Sequence, residues 1–433
     1  MPLQKHILLV CQKFPPVAGI GGRRWAKFAK YLSRLDVRVH VICTPHLEES
    51  SSLWTKDVIH NPNIIRHEVP SGYPNWNPSN HLFGKIRNKL TYWRLLASTQ
   101  GTPYDQSIFW HAGVRKKATE ILQNQEIQHM ILTGAPFHQF YHLGKLKNQF
   151  PDLKLILDFR DPWTSGTAYG MSEISPKRLA YERSIEQEAL RTADIVLGPY
   201  ALPHLLGDAM SKSNTTAIPH IIPHAFDPED IADISSSLTK KDETIRLIYG
   251  GSLYPGTETY LTQLATSLKA LQQTQPSALE KWEFSFYTPE TQRAAIFQGL
   301  PESTVRFFAP IPHRDILQKV SEADICLLFL NEEKKHFRTT KFAEFSTLKR
   351  PFLLFGPTGE VADFIHQNKI GHTISNPNFR QQDLLAGIQQ LLKPNAFHPD
   401  FQSQQYSYPA VTDMLIRLLD VQQPSQKTKQ IHV

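Results

Sequence analysis

Short apolar runs rich in β-branched and aromatic residues alternate along this chain with longer stretches of helical spacing. The first series is HILLV (6–10), VRVHVIC (37–43), MILTG (130–134), LKLILDF (153–159) and ADIVLG (193–198). After residue 240 the alternation restarts with IRLIYGG (245–251), FSFY (284–287), VRFF (305–308), DICLLFL (324–330) and PFLLFG (351–356). Near-continuous apolar strands separated by helices predict parallel sheets covered on both faces. Two such series predict an α/β protein of two doubly wound, Rossmann-like domains. Residues 223–243, rich in Pro, Asp, Ser and Lys, read as the connection. The expected domains are 1–230 and 231–407. A helix over 408–421, spaced at Val411, Met414, Leu415 and Leu418, is a candidate to cross back to the first domain. The polar segment 422–433 is expected to be disordered.

The composition supports large cores: 433 residues, 40% hydrophobic and 20% charged. Cys11, Cys43 and Cys326 are too few and too scattered for a disulfide framework or a paired-cysteine zinc site, which fits a reducing compartment. The start MPLQKHILLV turns polar too soon for a signal peptide, and no apolar run reaches the roughly 18 residues of a membrane span. The expectation is a cytoplasmic protein, soluble or peripheral on the inner face of the cytoplasmic membrane. Charge is uneven. Residues 1–200 carry 25 Lys and Arg against 16 Asp and Glu, and the remainder 22 against 24. The basicity points to an anionic partner for the first half.

Open parallel sheets bind ligands beyond the carboxyl ends of their strands, so candidate chemistry is sought there. After the first strand, Gly19, Gly21 and Gly22 make a loop leading to a helix near Arg23, a place where backbone N–H groups hold anions, or a plain strand–helix turn. A nicotinamide fingerprint is excluded, because Arg24 stands where its third glycine belongs. After MILTG, His138 falls in the first turn of the next helix, aimed at a cleft and neutral beside the helix N-terminus. His138 and His142 have metal-like spacing but no accompanying carboxylate, so no metal is expected. After LKLILDF come Arg160, Asp161 and Trp163, either a binding group or a structural ion pair. In the second half, Gly251 and Ser252 permit close backbone approach. A helix near Thr339–Thr340 carries Lys341 and Glu344 on one face, suited to a diphosphate and a ribose, or alternatively a capped helix with a surface Lys–Glu pair.

The segments FPPVAGIGGRRWAKFAKYL, TGAPFHQFYHLGKLK, LDFRDPWT, IPHAFD, LIYGGSLY and TTKFAEFSTLKRPFLLFGPTGEVADFI, in this order, resemble glycosyltransferase family 4, and LDFRDPWT resembles its bacterial surface-polysaccharide branch. The resemblance covers nearly all of the chain to about residue 375. It implies the GT-B fold of two facing Rossmann-like domains and a retaining, nucleotide-sugar-dependent transferase of hexosyl type. The second domain would hold the nucleotide sugar, and the first the glycan or lipid-linked acceptor. By resemblance, Gly21 and Gly22 line the diphosphate side, and the catalytic residues are His138, near the transferred sugar, Arg24, which begins the first helix, and Lys341. Glu344 binds the donor ribose, with Lys341 three residues before it; Gly251, Ser252 and Thr340 complete the donor side. Arg160, Asp161 and Trp163 serve the acceptor or the framework. Two departures stand out. His336 replaces a glutamate found in many members, and SLYPGTETYLTQL lacks their Arg and Lys, leaving Arg24, Lys341 and Arg338 as candidate cations. The implied alternatives are a nucleotide-sugar-binding protein without transfer activity and a nucleotide-sugar epimerase of the same fold.

No Asp-x-Asp clamp is present, so catalysis without a metal or other cofactor is expected, with N–H groups and cations meeting the leaving diphosphate. Within FGKIRNKLTYWRLLA (83–97), Phe83, Ile86, Leu90, Trp93 and Ala97 form a stripe, and Lys85, Arg87, Lys89 and Arg94 lie off it. The helix is basic and amphipathic. It either meets an anionic membrane surface or packs on its own domain with a solvated basic face. The basic residues lack the interleaved aromatics of a nucleic-acid platform, so no nucleic-acid partner is expected.

Overall fold

The computed structural model describes residues 5–17, 20–45, 53–74, 81–199, 201–234 and 243–420. Gly19, part of the connection and the segment 422–433 lie outside them. The chain divides into two compact units, one formed by Met1–Pro223 with Tyr408–Val433 and the other by His224–Ser407.

The first unit is built on seven strands: β1 (His6–Val10), β2 (Arg38–Cys43), β3 (Ile64–Glu68), β4 (Ile127–Gly134), β5 (Lys154–Phe159), β6 (Ile195–Gly198) and β7 (Ile218–Ile221). They pair in parallel in the order β3-β2-β1-β4-β5-β6-β7. The second unit has six: β8 (Ile245–Gly250), β9 (Trp282–Tyr287), β10 (Val305–Phe308), β11 (Ile325–Phe329), β12 (Phe352–Phe355) and β13 (Gly371–Ile374). These are also parallel, in the order β10-β9-β8-β11-β12-β13. In each sheet the direction of winding reverses beside the first strand, between β1 and β4 and between β8 and β11. That reversal opens a crevice at the strands' carboxyl ends.

The sequence pattern explains the layers. The helix Glu258–Thr274 buries Leu261, Leu264, Leu268 and Leu271, a three- and four-residue stripe. It lies in one core with Leu247, Phe284, Phe286, Leu327 and Leu353 of the sheet. Each such side chain contributes about 1.5–3 kcal/mol by leaving water.

The helix Arg23–Ser33 is buried along its whole length. Lys27 and Lys30 reach Asp57 at 2.7 and 3.0 Å, so its charges are matched locally. The last helix, Tyr408–Asp420, packs against it, with Tyr408 edge-on to Phe28 and stacked with Tyr31. Its buried face is Tyr408, Val411, Leu415 and Leu419, whereas Met414 is exposed and Leu418 half-buried. The apolar stripe is therefore turned from the expected one.

The helix Leu82–Ser98 behaves differently. It buries only Leu95. Phe83 is 86% exposed and Trp93 59%, and Leu82, Ile86 and Leu90 are exposed beside them. The stripe does not face the unit's own core. Among the described residues no helix is long and apolar enough to cross a membrane.

Candidate functional site

In the first unit a cavity of about 410 Å³ opens beyond β1, β4 and β5. Lys13, Gly21, Tyr104, Asp105, Arg160 and Asp161 are among its lining residues. Arg160, directly after β5, donates to the carbonyls of Gly134 (2.8 Å), Ala135 (3.0 Å) and Gly21. It staples the glycine loop to the loop after β4. Asp161 does not pair with Arg160 and accepts from the Tyr169 hydroxyl at 2.9 Å. Gly22 backs onto the Lys13 carbonyl and begins the buried helix. Cys11 also lines the cavity, and burial pushes its thiol up to about 12, so it is inert as a nucleophile.

His138 does not point into this cavity. Its imidazole is buried, and Nε2 lies 2.8 Å from Glu182 Oε1. Glu182 is fully buried on the helix Pro176–Thr192 and also accepts from the Thr102 N–H (2.5 Å) and Trp163 Nε1 (2.8 Å). Trp163 is buried as well and stacks on Phe137. Asp105 takes the N–H groups of Phe137 (2.6 Å) and His138 (3.1 Å) with one oxygen and the N–H and hydroxyl of Ser107 with the other. The expected neutral form of His138 meets the opposite shift. Burial lowers its pKa, but the Asp105 charge and the Glu182 hydrogen bond outweigh that and raise it above the ordinary value. A helix N-terminus is a weaker influence than a carboxylate at contact. Nearby, burial lifts the Glu186 carboxyl to about 7 despite its bond from Thr164.

Arg24 lies apart from the glycine loop's carbonyl staple. It is buried, donating to the carbonyls of Ile222 (2.8 Å) and Pro223 (3.0 Å), with Nε 3.5 Å from Asp158. Its guanidinium holds the end of the first unit's chain rather than facing an open site. Asp158 also accepts from Trp25 Nε1 (2.6 Å) and Thr133 (2.9 Å).

In the second unit Gly250 ends β8 and Gly251 follows it. A side chain on Gly250 would meet Ile316 at 2.8 Å, and one on Gly251 would run into Lys341 Nζ. Gly251 also has φ +122°, which disfavours any other residue. So Lys341, in the first turn of the helix Thr340–Thr347, lies directly over the loop. The cap residue Thr339 gives that helix no side-chain cap, and Thr340 opens it. Lys341 also lies 5.1 Å from the Tyr249 ring. Burial pushes its pKa down to about 8, with Glu290 and Glu344 opposing. The Ser252 carbonyl accepts from the Tyr249 hydroxyl, and the Leu253 N–H donates to Glu290 at 2.9 Å.

Lys341 and Glu344 are no surface pair. Glu344 is buried, and His313 Nε2 donates to its Oε1 at 2.8 Å. Arg338 is engaged by Glu360 at 2.9 Å and lies over the Phe364 ring. Arg293 donates to Thr257 (3.0 Å) and Glu258 (2.6 Å) at the start of the helix Glu258–Thr274. The fold thus brings Gly251, Ser252, Thr340, Lys341 and Glu344 into one region of the second unit. Gly21, Arg160 and Asp161 share the cavity of the first.

Sequence reasoning missed Asp105, Glu182, Glu290 and His313. Glu182 had a signal: with Ile185, Glu186 and Ala189 it keeps the spacing of the helix's buried face. His313 had none, because its meaning depends on a carboxylate 31 residues away.

No family model matches the chain, and no curated protein does. Solved structures match over nearly the whole length. A sucrose-phosphate synthase from Thermosynechococcus elongatus superposes with a TM-score of 0.62 at 12% identity, covering 96% of this chain and 98% of the other. A glycosyltransferase from Rickettsia africae gives 0.60 at 13%, with 98% and 100% coverage. A UDP-forming α,α-trehalose-phosphate synthase from Burkholderia xenovorans, in complex with glucose-6-phosphate, gives 0.59 at 11%, with 96% and 100%. The shared property is the fold: this chain is an α/β protein with parallel sheets of seven and six strands, similar in architecture to glycosyltransferases of the GT-B type.

Proposed function

We propose that the protein is a retaining hexosyltransferase that takes a sugar from a nucleotide donor and delivers it to a glycan or lipid-linked acceptor of a surface polysaccharide. The observation that carries this is Lys341 over Gly251 at the winding reversal of the second sheet. A half-buried ammonium over a glycine and an uncapped helix start make a receptor for a diphosphate. Gly251, Ser252, Thr340 and Lys341 would hold the phosphates, and Glu344 the ribose. The leaving group's charge would be met by Lys341 without a divalent ion. The acceptor would enter the cavity of the first unit beside Gly21, Arg160 and Asp161. His138, Trp163 and Arg24 would act on the reaction by holding that unit's loops and chain end in place.

The helix Leu82–Ser98 fits an anionic membrane surface. It carries Lys85, Arg87, Lys89 and Arg94, no acidic residue, and an exposed apolar stripe. Arg178 ties its end to the chain leading into the cavity wall, donating to the carbonyls of Leu96, Thr99 and Gly101. This reading predicts salt-sensitive sedimentation with phosphatidylglycerol vesicles, but not phosphatidylcholine vesicles. Phe83→Ser/Trp93→Ser should abolish it. Equal recovery of wild type and double variant with anionic vesicles would remove the helix as the anchor.

A second reading, binding without transfer, is favoured by the stretch after Gly251, which carries no Arg or Lys to meet a leaving diphosphate and whose Leu253 N–H is taken by Glu290. A thermal-shift screen of nucleotide sugars identifies the donor, since a ligand of the native state raises its stability. Incubation of that donor with bacterial membrane lipid extract in excess chelator then decides. Transfer supports the enzyme, donor binding alone supports the second reading, and donor conversion without acceptor points to an epimerase.

A further inference from the structure

The helices His313–Glu322 and Thr340–Thr347 both border the end of β8, through Ile316 and Phe345 around Gly250. His313 is the first residue of one and Glu344 lies in the other, and the His313 imidazole meets Glu344 Oε1 at 2.8 Å. A carboxylate terminus rotates broadly about its last torsion, so a glutamate that must meet two adjacent hydroxyls needs one oxygen fixed. It is also buried, and a buried carboxylate is costly without a donor.

We propose that His313 is a positioning residue for donor recognition: by fixing Glu344 Oε1 it presents the carboxylate to the ribose hydroxyls and sets a preference for ribonucleotides over 2′-deoxyribonucleotides. The inference rests on the reading of Glu344 as the ribose ligand. A site built to bond a hydroxyl rejects the analogue lacking it, because its polar group is left unpaired. If His313 is removed, the carboxylate loses its set orientation, and the penalty falls on the ribo form.

The test is the affinity of the full-length protein for UDP, GDP and ADP and for their 2′-deoxy counterparts, by calorimetry. Wild type should bind the ribo form of at least one pair about tenfold or more tighter. His313→Ala should weaken that ribo form about tenfold and leave the deoxy form nearly unchanged, collapsing the preference. His313→Gln, which keeps an N–H donor, should restore part of it. His313→Leu, which fills the space without a donor, should behave like His313→Ala and serves if the latter does not fold. A wild type that binds ribo and deoxy forms equally, or binds none of them, overturns the Glu344 reading and this inference with it. A wild-type preference that survives in both His313→Ala and His313→Leu, or equal loss of both forms, overturns the role of His313 alone.

Discussion

The two units share one sheet topology and finish their crevices in opposite electrostatic ways. At the end of β5 and the start of the helix His138–Gly144, the fold itself supplies the partners. Arg160 is met by three carbonyls, Asp105 by backbone N–H groups, and His138 by Glu182. The pKa of His138 is raised in consequence. Over the end of β8, burial wins instead, and Lys341 is lowered to about 8 although Glu290 and Glu344 oppose the shift. A group whose charged form the fold stabilises is framework. A group whose charged form the fold disfavours is poised for an external counter-charge.

The sharpest way to break this contrast is His138→Ala. It leaves Glu182 buried without its imidazole, and it should cost about 3–5 kcal/mol of stability, as when one partner of a buried pair is removed. The sign with pH is specific. A raised pKa contributes stability that is fully present below the unfolded value of 6.5 and is lost as pH rises through the folded value. The gap in melting temperature between wild type and variant should therefore narrow at alkaline pH. A gap that widens there, or none at any pH, returns His138 to a role outside the framework.

Lys341→Met comes next. Loss of the ammonium should reduce transfer by roughly 10²–10³ with the melting temperature kept or raised, since a half-buried charge that the fold disfavours is removed. Undiminished transfer would detach Lys341 from the leaving group. Glu344→Gln should weaken donor binding by about 1–3 kcal/mol, the range for a charged hydrogen bond. Unchanged affinity in a titration removes it from the ribose. The smallest effect sharpens the comparison most directly. Because burial lowers Lys341 to about 8, binding a nucleoside diphosphate should take up more protons at pH 8, where the lysine is partly neutral, than at pH 6.5, where it is already charged and the phosphate gives up its own proton. Calorimetry in buffers of different ionisation heat reads this, and equal uptake at both pH values contradicts the poised lysine.

The central strands were legible in the sequence because both of their faces are buried, leaving unbroken apolar runs. The three strands that reading missed, β3, β7 and β13, all lie at sheet edges. They are short and half-exposed, with sequences IIRHE, IPHI and GHTI, so the apolar signal thins out where one side has no neighbour. Gly251 and Lys341 were legible as neighbours, because they follow strands on either side of a winding reversal. Partnerships were not. Nothing in the order of residues joins His138 to Glu182, 44 positions on, or turns Arg24 toward Ile222 and Pro223. The apolar stripe of Leu82–Ser98 was visible, but its direction was not, since periodicity gives a face without saying what covers it.

The helix Tyr408–Asp420 belongs to the first unit although it follows the second in the chain. The helix it packs on, Arg23–Ser33, also holds the carbonyls where the first unit's chain leaves. During synthesis, then, the unit that starts first is finished last. Until the ribosome has released the residues around Val411 and Leu415, the face of Phe28 and Tyr31 that receives Tyr408 stays uncovered. The second unit, continuous from His224 to Ser407, can close in the meantime. Expression truncated before Tyr408 should therefore harm the early half of the protein, and a chaperone that shields nascent apolar surface would be needed longest by the part made earliest.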